Sequence, residues 1–120
     1  MPTINGRVPE AGDLIWIDLG APVGHEQGGR RPAVVLTPAA YNARSSVLVV
    51  CPISRTGGPW PFKVAFAIPG SVAGYVLFHQ LRVIDPVARP CKHSGRIPED
   101  AFAEVRRGLV GLFELGEGLT

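Results

Sequence analysis

The sequence predicts a mainly β domain, a small and strongly bent antiparallel sheet or barrel, capped by one C-terminal helix. Three observations carry this. Short apolar runs rich in β-branched residues recur between Asp13 and Ile97. Fifteen glycines and 12 prolines are scattered among them and cut the chain into short elements. Only after Pro98 does the apolar spacing become helical. Strands first and one helix last is not a βαβ repeat, which argues against a nucleotide-binding parallel sheet.

Taken in order, residues 1–11 mix Pro and Gly with polar side chains and are expected to be loose, leaving residues 12–120 as a single domain. Asp13 to Leu19 (DLIWIDL) reads as a strand between Gly12 and Gly20, with Leu14 and Trp16 on its apolar alternation. Gly20 to Arg31 is a long glycine-rich loop. Pro32 to Thr37 (PAVVLT) suits a strand buried on both faces. Pro38 opens a short helix or turn over Ala39 to Arg44. Val47 to Ile53 (VLVVCPI) is another buried strand, ended by Pro52, and Ser54 to Pro61 is a loop. Phe62 to Phe66 alternates around Lys63, Tyr75 to Phe78 is a fifth strand, and Leu81 to Ile84 continues the sheet after a bend. Cys91 to Ile97 is the last strand.

The helix begins at Pro98, with Glu99 and Asp100 complementing its dipole. Phe102, Val105, Leu109, Leu112 and Phe113 then mark one amphipathic face, with Arg106 and Arg107 mostly off it. Gly108 and Gly111 each weaken a helix by about 1 kcal/mol relative to Ala, a loss that close packing against the sheet or a partner would offset.

Composition narrows the function classes. A net charge of +2 permits a polyanionic ligand without demanding one. Two distant cysteines, Cys51 and Cys91, suit a reducing cytosol, with pairing between them left open. The N-terminus lacks a basic region followed by an apolar one, and no apolar run approaches the ~20 residues that span a bilayer. The expected location is the cytoplasm, with no membrane contact. Cys91 and His93 lack zinc-ligand spacing, so no metal site is expected.

Several segments stand in a recognisable order: GDLIWIDL from Gly12, GHEQGGRRPAVVLTP from Gly24 to Pro38, Tyr41-Asn42, CPIS at Cys51 to Ser54, PFKV from Pro61, and HQLRVID from His79 to Asp85. Each alone is weak. As an ordered set over residues 12–115 the chain resembles the MazF/PemK (Kid) toxin family. That resemblance implies an SH3-like β-barrel and a homodimer. It implies metal-independent cleavage of single-stranded RNA, mRNA included, at short sequence motifs, with 2′,3′-cyclic phosphate and 5′-hydroxyl ends and no cofactor. It also implies a cognate MazE-like antitoxin whose flexible tail lies across the RNA groove. The related CcdB toxin shares the fold but binds DNA gyrase without being an enzyme. It supplies the alternative from a different class, and an inactive paralogue kept as a binding module is a third reading.

The chemistry selects residues. RNA carries its own nucleophile, so cleavage needs a base, an acid and positive charge at the phosphorane oxygens. Arg31, before Pro32 at a loop-to-strand junction, forks onto phosphate and matches the family's catalytic arginine. Ser54 matches the family's catalytic Thr/Ser, although a turn-capping serine is common. His25 and Glu26 match the family's loop, where active-site or RNA-contact roles are assigned. His79 stands where family members commonly carry an acid, and Leu77 where some carry an arginine, so the Arg/Asp pair proposed for Kid-like toxins is absent. His79 is a candidate acid or base across the cleft from Arg31 and Ser54, beside His25 and Glu26, the alternative being a histidine that contacts RNA or the antitoxin. Gln27 and Gln80 suit base edges or positioning. Trp60 suits base stacking, the antitoxin or simple packing. Arg55, Lys63 and Arg82, with Arg30, suit phosphate. Asp85 reads as a turn residue.

Overall fold

Antiparallel pairing runs through the whole sheet. The computed structural model describes residues 3–56 and 58–116. Its strands are β1 (Asp13–Asp18), β2 (Arg30–Val35), β3 (Leu48–Ser54), β4 (Lys63–Ala67), β5 (Ala73–Leu77), β6 (Arg82–Ile84) and β7 (Cys91–Arg96). The helices are α1 (Ala39–Asn42) and α2 (Glu99–Phe113), and a 3₁₀ turn covers Phe78–Gln80. The strand order is β4-β5-β3-β2-β1-β7, with β6 also on β3. Among the described residues no ladder joins β4 to β7, so the bent sheet is not closed by hydrogen bonds.

β3 explains the bend. Its first half pairs with β6 (Leu48↔Ile84, Val50↔Arg82), while its last two residues pair with β5 (Ile53↔Val76, Ser54↔Tyr75). One strand thus serves two sheet segments, and each segment folds over its own core. Leu14, Val34, Cys51 and Ile53 pack with Val64, Phe66 and Val76, and with Ala101 and Val105 of α2. On the opposite face Ile15, Ile17, Ala33, Val35, Leu48, Val50 and Ile84 form a second cluster. Burying both faces is why β2 and β3 read as continuous apolar runs instead of alternating ones.

Three details depart from the sequence reading. Trp16 is 39% exposed, while Leu14, Ile15 and Ile17 are buried. The apolar face of β1 beyond Leu14 is therefore the Ile15/Ile17 face. β2 begins at Arg30, not Pro32, because Arg30 and Arg31 pair with Asp18 and Ile17 of β1. The strand after β4 starts at Ala73 and turns into the 3₁₀ segment at Phe78.

Two buried polar side chains fasten the ends. Asp13 is fully buried and accepts Arg96 Nη1 at 2.7 Å and the Glu10 N–H at 2.9 Å, with Arg7 and His93 at 3.7 and 3.8 Å. Asn42 donates through Nδ2 to the carbonyls of Pro9 and Thr37, each at 2.8 Å. Ile4 is buried in the second cluster. Cys51 and Cys91 are both free thiols and belong to opposite core faces. Among the described residues, no helix is long and apolar enough to cross a membrane.

Candidate active site

A cleft opens where β2 and β3 part. Their ladder runs Val35↔Val50, Val34↔Cys51 and Ala33↔Pro52, then stops. Continued in the same register, it would set Pro32 against Ile53 and Arg31 against Ser54. It stops at Pro32, which lacks the N–H that the next hydrogen-bonded pair, with Ile53, would need. β3 instead turns its last residues to β5, and a cavity of about 600 Å³ lies in the gap, lined by Trp16, Arg30, Arg31, Pro32, Ser54 and Arg55 among others. Arg31 and Ser54 thus line the same cavity, beyond the end of the ladder between their strands.

Arg31 is held by uncharged oxygens. Its Nε donates to the Gly28 carbonyl at 2.8 Å, and Nη1 donates to Gln27 Oε1 at 2.6 Å and to the Ile53 carbonyl at 3.3 Å. Among the described residues its guanidinium forms no ion pair; the carboxylate contacts are all to Asp13. Partial burial lowers the Arg31 pKa by desolvation, yet a guanidinium stays charged at neutral pH. A fixed cation with neutral partners keeps its field available to an incoming anion.

Ser54 is half-buried at the end of β3, and its Oγ accepts the Thr56 N–H at 3.3 Å. This is the turn-capping arrangement, but it uses only the oxygen, so the hydroxyl proton remains available to a ligand.

The loop between β1 and β2 has a tight neck. Gly29 donates to the Gly20 carbonyl at 2.6 Å, and Leu19 to the Gly29 carbonyl at 3.0 Å. A Cβ on Gly28 would stand 2.5 Å from Pro22 N, so that position admits only glycine. His25 and Glu26 are exposed toward the tip and do not line the cavity. Gln27 donates its backbone N–H to Gln80 Oε1 at 2.8 Å, and Gln80 Nε2 donates to the His25 carbonyl at 3.1 Å.

His79 belongs to a separate aromatic cluster. Its ring centroid lies 5.2 Å from those of Trp60 and Phe62, and its Nδ1 has no hydrogen-bond partner among the described residues. Neither His79 nor Trp60 lines the cavity holding Arg31 and Ser54. Arg82 donates to the Leu19 carbonyl at 3.3 Å, and Lys63 lies 5.7 Å over the Tyr75 ring. Among the described residues no group of three or more His, Cys, Asp or Glu side chains is placed to hold a metal.

Trp16 was missed in the sequence. It lines the main cavity and also a smaller one of about 280 Å³ with Arg30, Asp18, Cys91 and Lys92. The available signal was its position between Ile15 and Ile17: if those two face the core, an aromatic between them faces out.

Residues 10–113, which include the entire cavity lining, match the family described as PemK-like, MazF-like toxin of type II toxin-antitoxin system. The chain belongs to the PemK/MazF toxin family. This PemK/MazF-family chain is 36% identical over 98 residues to the endoribonuclease toxin MazF of Escherichia coli K12, covering 81% of this chain and 87% of that protein. It is 34% identical over 111 residues to the endoribonuclease toxin ChpB of the same organism, covering 88% and 94%. Among solved structures, MazF of Deinococcus radiodurans superposes with a TM-score of 0.82 at 40% identity, covering 90% of this chain and 98% of that one. A MazE–MazF complex from the same organism gives 0.77 at 36% identity, covering 91% and 98%.

Proposed function

We propose that this PemK/MazF-family chain is the toxin of a toxin–antitoxin pair and that it cuts single-stranded RNA, mRNA included, at short sequence motifs without a metal or cofactor. The observation that carries the reading is the pairing of Arg31, charged and unneutralised, with Ser54 across the parted strands. The curated relatives, all named endoribonucleases, point the same way.

In this reading the 2′-hydroxyl attacks the adjacent phosphorus. A new O2′–P bond forms as the P–O5′ bond breaks, giving a 2′,3′-cyclic phosphate and a 5′-hydroxyl. One proton leaves the 2′-oxygen and one arrives at the 5′-oxygen. Arg31 holds the phosphorane oxygens as they gain charge, and Ser54 donates a hydrogen bond to one of them. His25, Glu26 and His79 are the candidates for proton transfer. Arg30, Arg55, Arg82 and Lys63 contact phosphates, and Trp60 receives the antitoxin, packs against His79 or stacks on a base. Its place of action is the cytoplasm, as a homodimer, with a MazE-like antitoxin as partner; the MazE–MazF complexes among the structural neighbours support that partner.

The test is incubation of the purified protein with a long RNA in EDTA, followed by mapping of the ends. Cleavage at a short motif with 5′-hydroxyl ends is the expected result, and Arg31→Ala should lower the rate by about 10² or more. Intact RNA would sink the reading, and intact RNA with blocked gyrase supercoiling would favour the CcdB-like alternative.

A further inference from the structure

We propose that Gln80 is a positioning residue for Arg31, acting through Gln27, and not a reader of RNA bases. The proposal rests on Arg31 being the group that meets the scissile phosphate.

The carboxamide of Gln80 is already occupied at both ends. Its oxygen accepts the Gln27 N–H at 2.8 Å and its nitrogen donates to the His25 carbonyl at 3.1 Å. These two bonds bracket Glu26 and reach across more than 50 residues of sequence. Gln27 passes the constraint on, because its Oε1 accepts Arg31 Nη1 at 2.6 Å. The backbone of Gln27 is thus fixed by Gln80, and its side chain fixes the guanidinium.

The Gly28 and Ile53 carbonyls also hold the guanidinium, but among the described residues nothing besides Gln80 and Arg31 ties Gln27 to the rest of the protein. The neck of the loop is closed by Leu19, Gly20 and Gly29. Among the described residues, the only other hydrogen bond over residues 21–27 is local, from Glu26 N–H to the Val23 carbonyl. Without Gln80, the tip of the loop has no described hydrogen bond to the rest of the protein except the one to Arg31 itself. The residue type follows. The site asks for one acceptor and one donor on a planar group, which an amide supplies and a carboxylate does not. A carboxylate would still accept from Gln27 but would face the His25 carbonyl with no proton to offer.

Gln80 also shares its 3₁₀ turn with His79, whose ring lies 5.2 Å from those of Trp60 and Phe62. The same turn therefore sets the His79 ring and, through the loop, the direction of Arg31.

The experiment has two arms. In the free protein, exchange of the Arg31 side-chain N–H protons is followed by ¹⁵N-edited NMR. Gln80→Ala and Gln80→Glu should each speed that exchange about 10-fold or more, while the amides of Val34 and Val50 keep their wild-type protection, which certifies the fold. In the cleavage assay kcat should fall about 10–100-fold with KM within about 3-fold, as for a misdirected transition-state group. Gln27→Ala should reproduce the effect, and the double variant should be no worse than either single one. Unchanged Arg31 exchange would overturn the proposal. So would a raised KM and altered cleavage motif with kcat preserved, the signature of base reading. Because the exchange arm needs no RNA, failure of wild-type cleavage would refute the proposed activity while the linkage to Arg31 is still decided.

Discussion

The ring of Phe78 lies against the α-carbon of Gly108, so close that a Cβ there would stand 2.7 Å from Phe78 Cζ. Glycine lets α2 seat on the 3₁₀ turn. Phe78 is nearly buried and packs edge-on against Phe62 at 6.2 Å, so its ring cannot simply swing away. Gly108→Ala should therefore lose more by overpacking, about 1–3 kcal/mol, than the about 1 kcal/mol it gains in helix propensity. Gly111, one turn on, has nothing within 4 Å of its would-be Cβ. Gly111→Ala should raise stability by about 0.5–1 kcal/mol. Thermal melts of the two variants should shift in opposite directions, and a shared direction would refute the argument.

Cys51 gives a pH dependence with a definite sign. Burial pushes its thiol up from 9.0 to about 12. The folded state therefore favours the protonated thiol. The contribution is fully present below pH 9.0 and is lost as pH rises toward about 12. The slope reaches at most about 1.4 kcal/mol per pH unit. Urea unfolding at pH 8 and pH 11 should show a steeper alkaline loss in wild type than in Cys51→Ala. Equal slopes would count against a buried, titrating thiol. Cys91, half-buried and pushed up to about 11 against the opposing pull of Arg89, should likewise react slowly with thiol reagents at neutral pH.

Asn42 is a buried clamp with two donors spent on Pro9 and Thr37 carbonyls. Asn42→Asp keeps the shape, removes both donors and aims a carboxylate at two carbonyl oxygens. A loss of about 3 kcal/mol or more is expected at pH 7, easing as the carboxyl is protonated. Asn42→Ala should lose about 1–3 kcal/mol by chemical denaturation. A smaller loss for Asp than for Ala would contradict the hydrogen-bond assignment.

His79→Ala tests the proton-transfer role directly. If His79 acts as acid or base, kcat on a single-stranded oligonucleotide should fall by about 10²–10⁴. A wild-type kcat would remove it from the mechanism and leave His25 and Glu26. The two latter sit on the loop tip that Gln80 secures, so their replacement should be compared in the same assay.

Much of the fold was legible because its signals are local. The apolar runs at residues 32–37 and 47–53, the proline and acidic start of α2, and the spacing of Phe102, Val105 and Leu109 all survive into the structure. What was not legible depends on contacts distant in sequence. Arg30 and Arg31 look like loop residues until Asp18 and Ile17 of β1 are seen opposite them. Trp16 looked inward because alternation alone does not say which face is the core. Gln27 and Gln80 suit base edges or positioning, and nothing local says that they bond to each other across 53 positions. The likeness to the family named Arg31 and Ser54 but not the reason they face each other. That reason is a change of ladder partner along β3, visible only in three dimensions.

The parting of β2 from β3 has an evolutionary consequence. The opening begins where Pro32 carries no N–H to continue the ladder, on strands whose neighbouring residues Ala33, Val34, Val35, Val50, Cys51 and Ile53 are packed in two cores. Its position is therefore set by the strands and not by the loops around it. Substitutions at loop positions other than Gly20, Gln27, Gly28, Gly29 and Ser54 can re-shape what the cleft admits while the strands that carry Arg31 and Ser54 keep their packing. A scaffold arranged this way separates the part that must not drift from the part that is free to diversify.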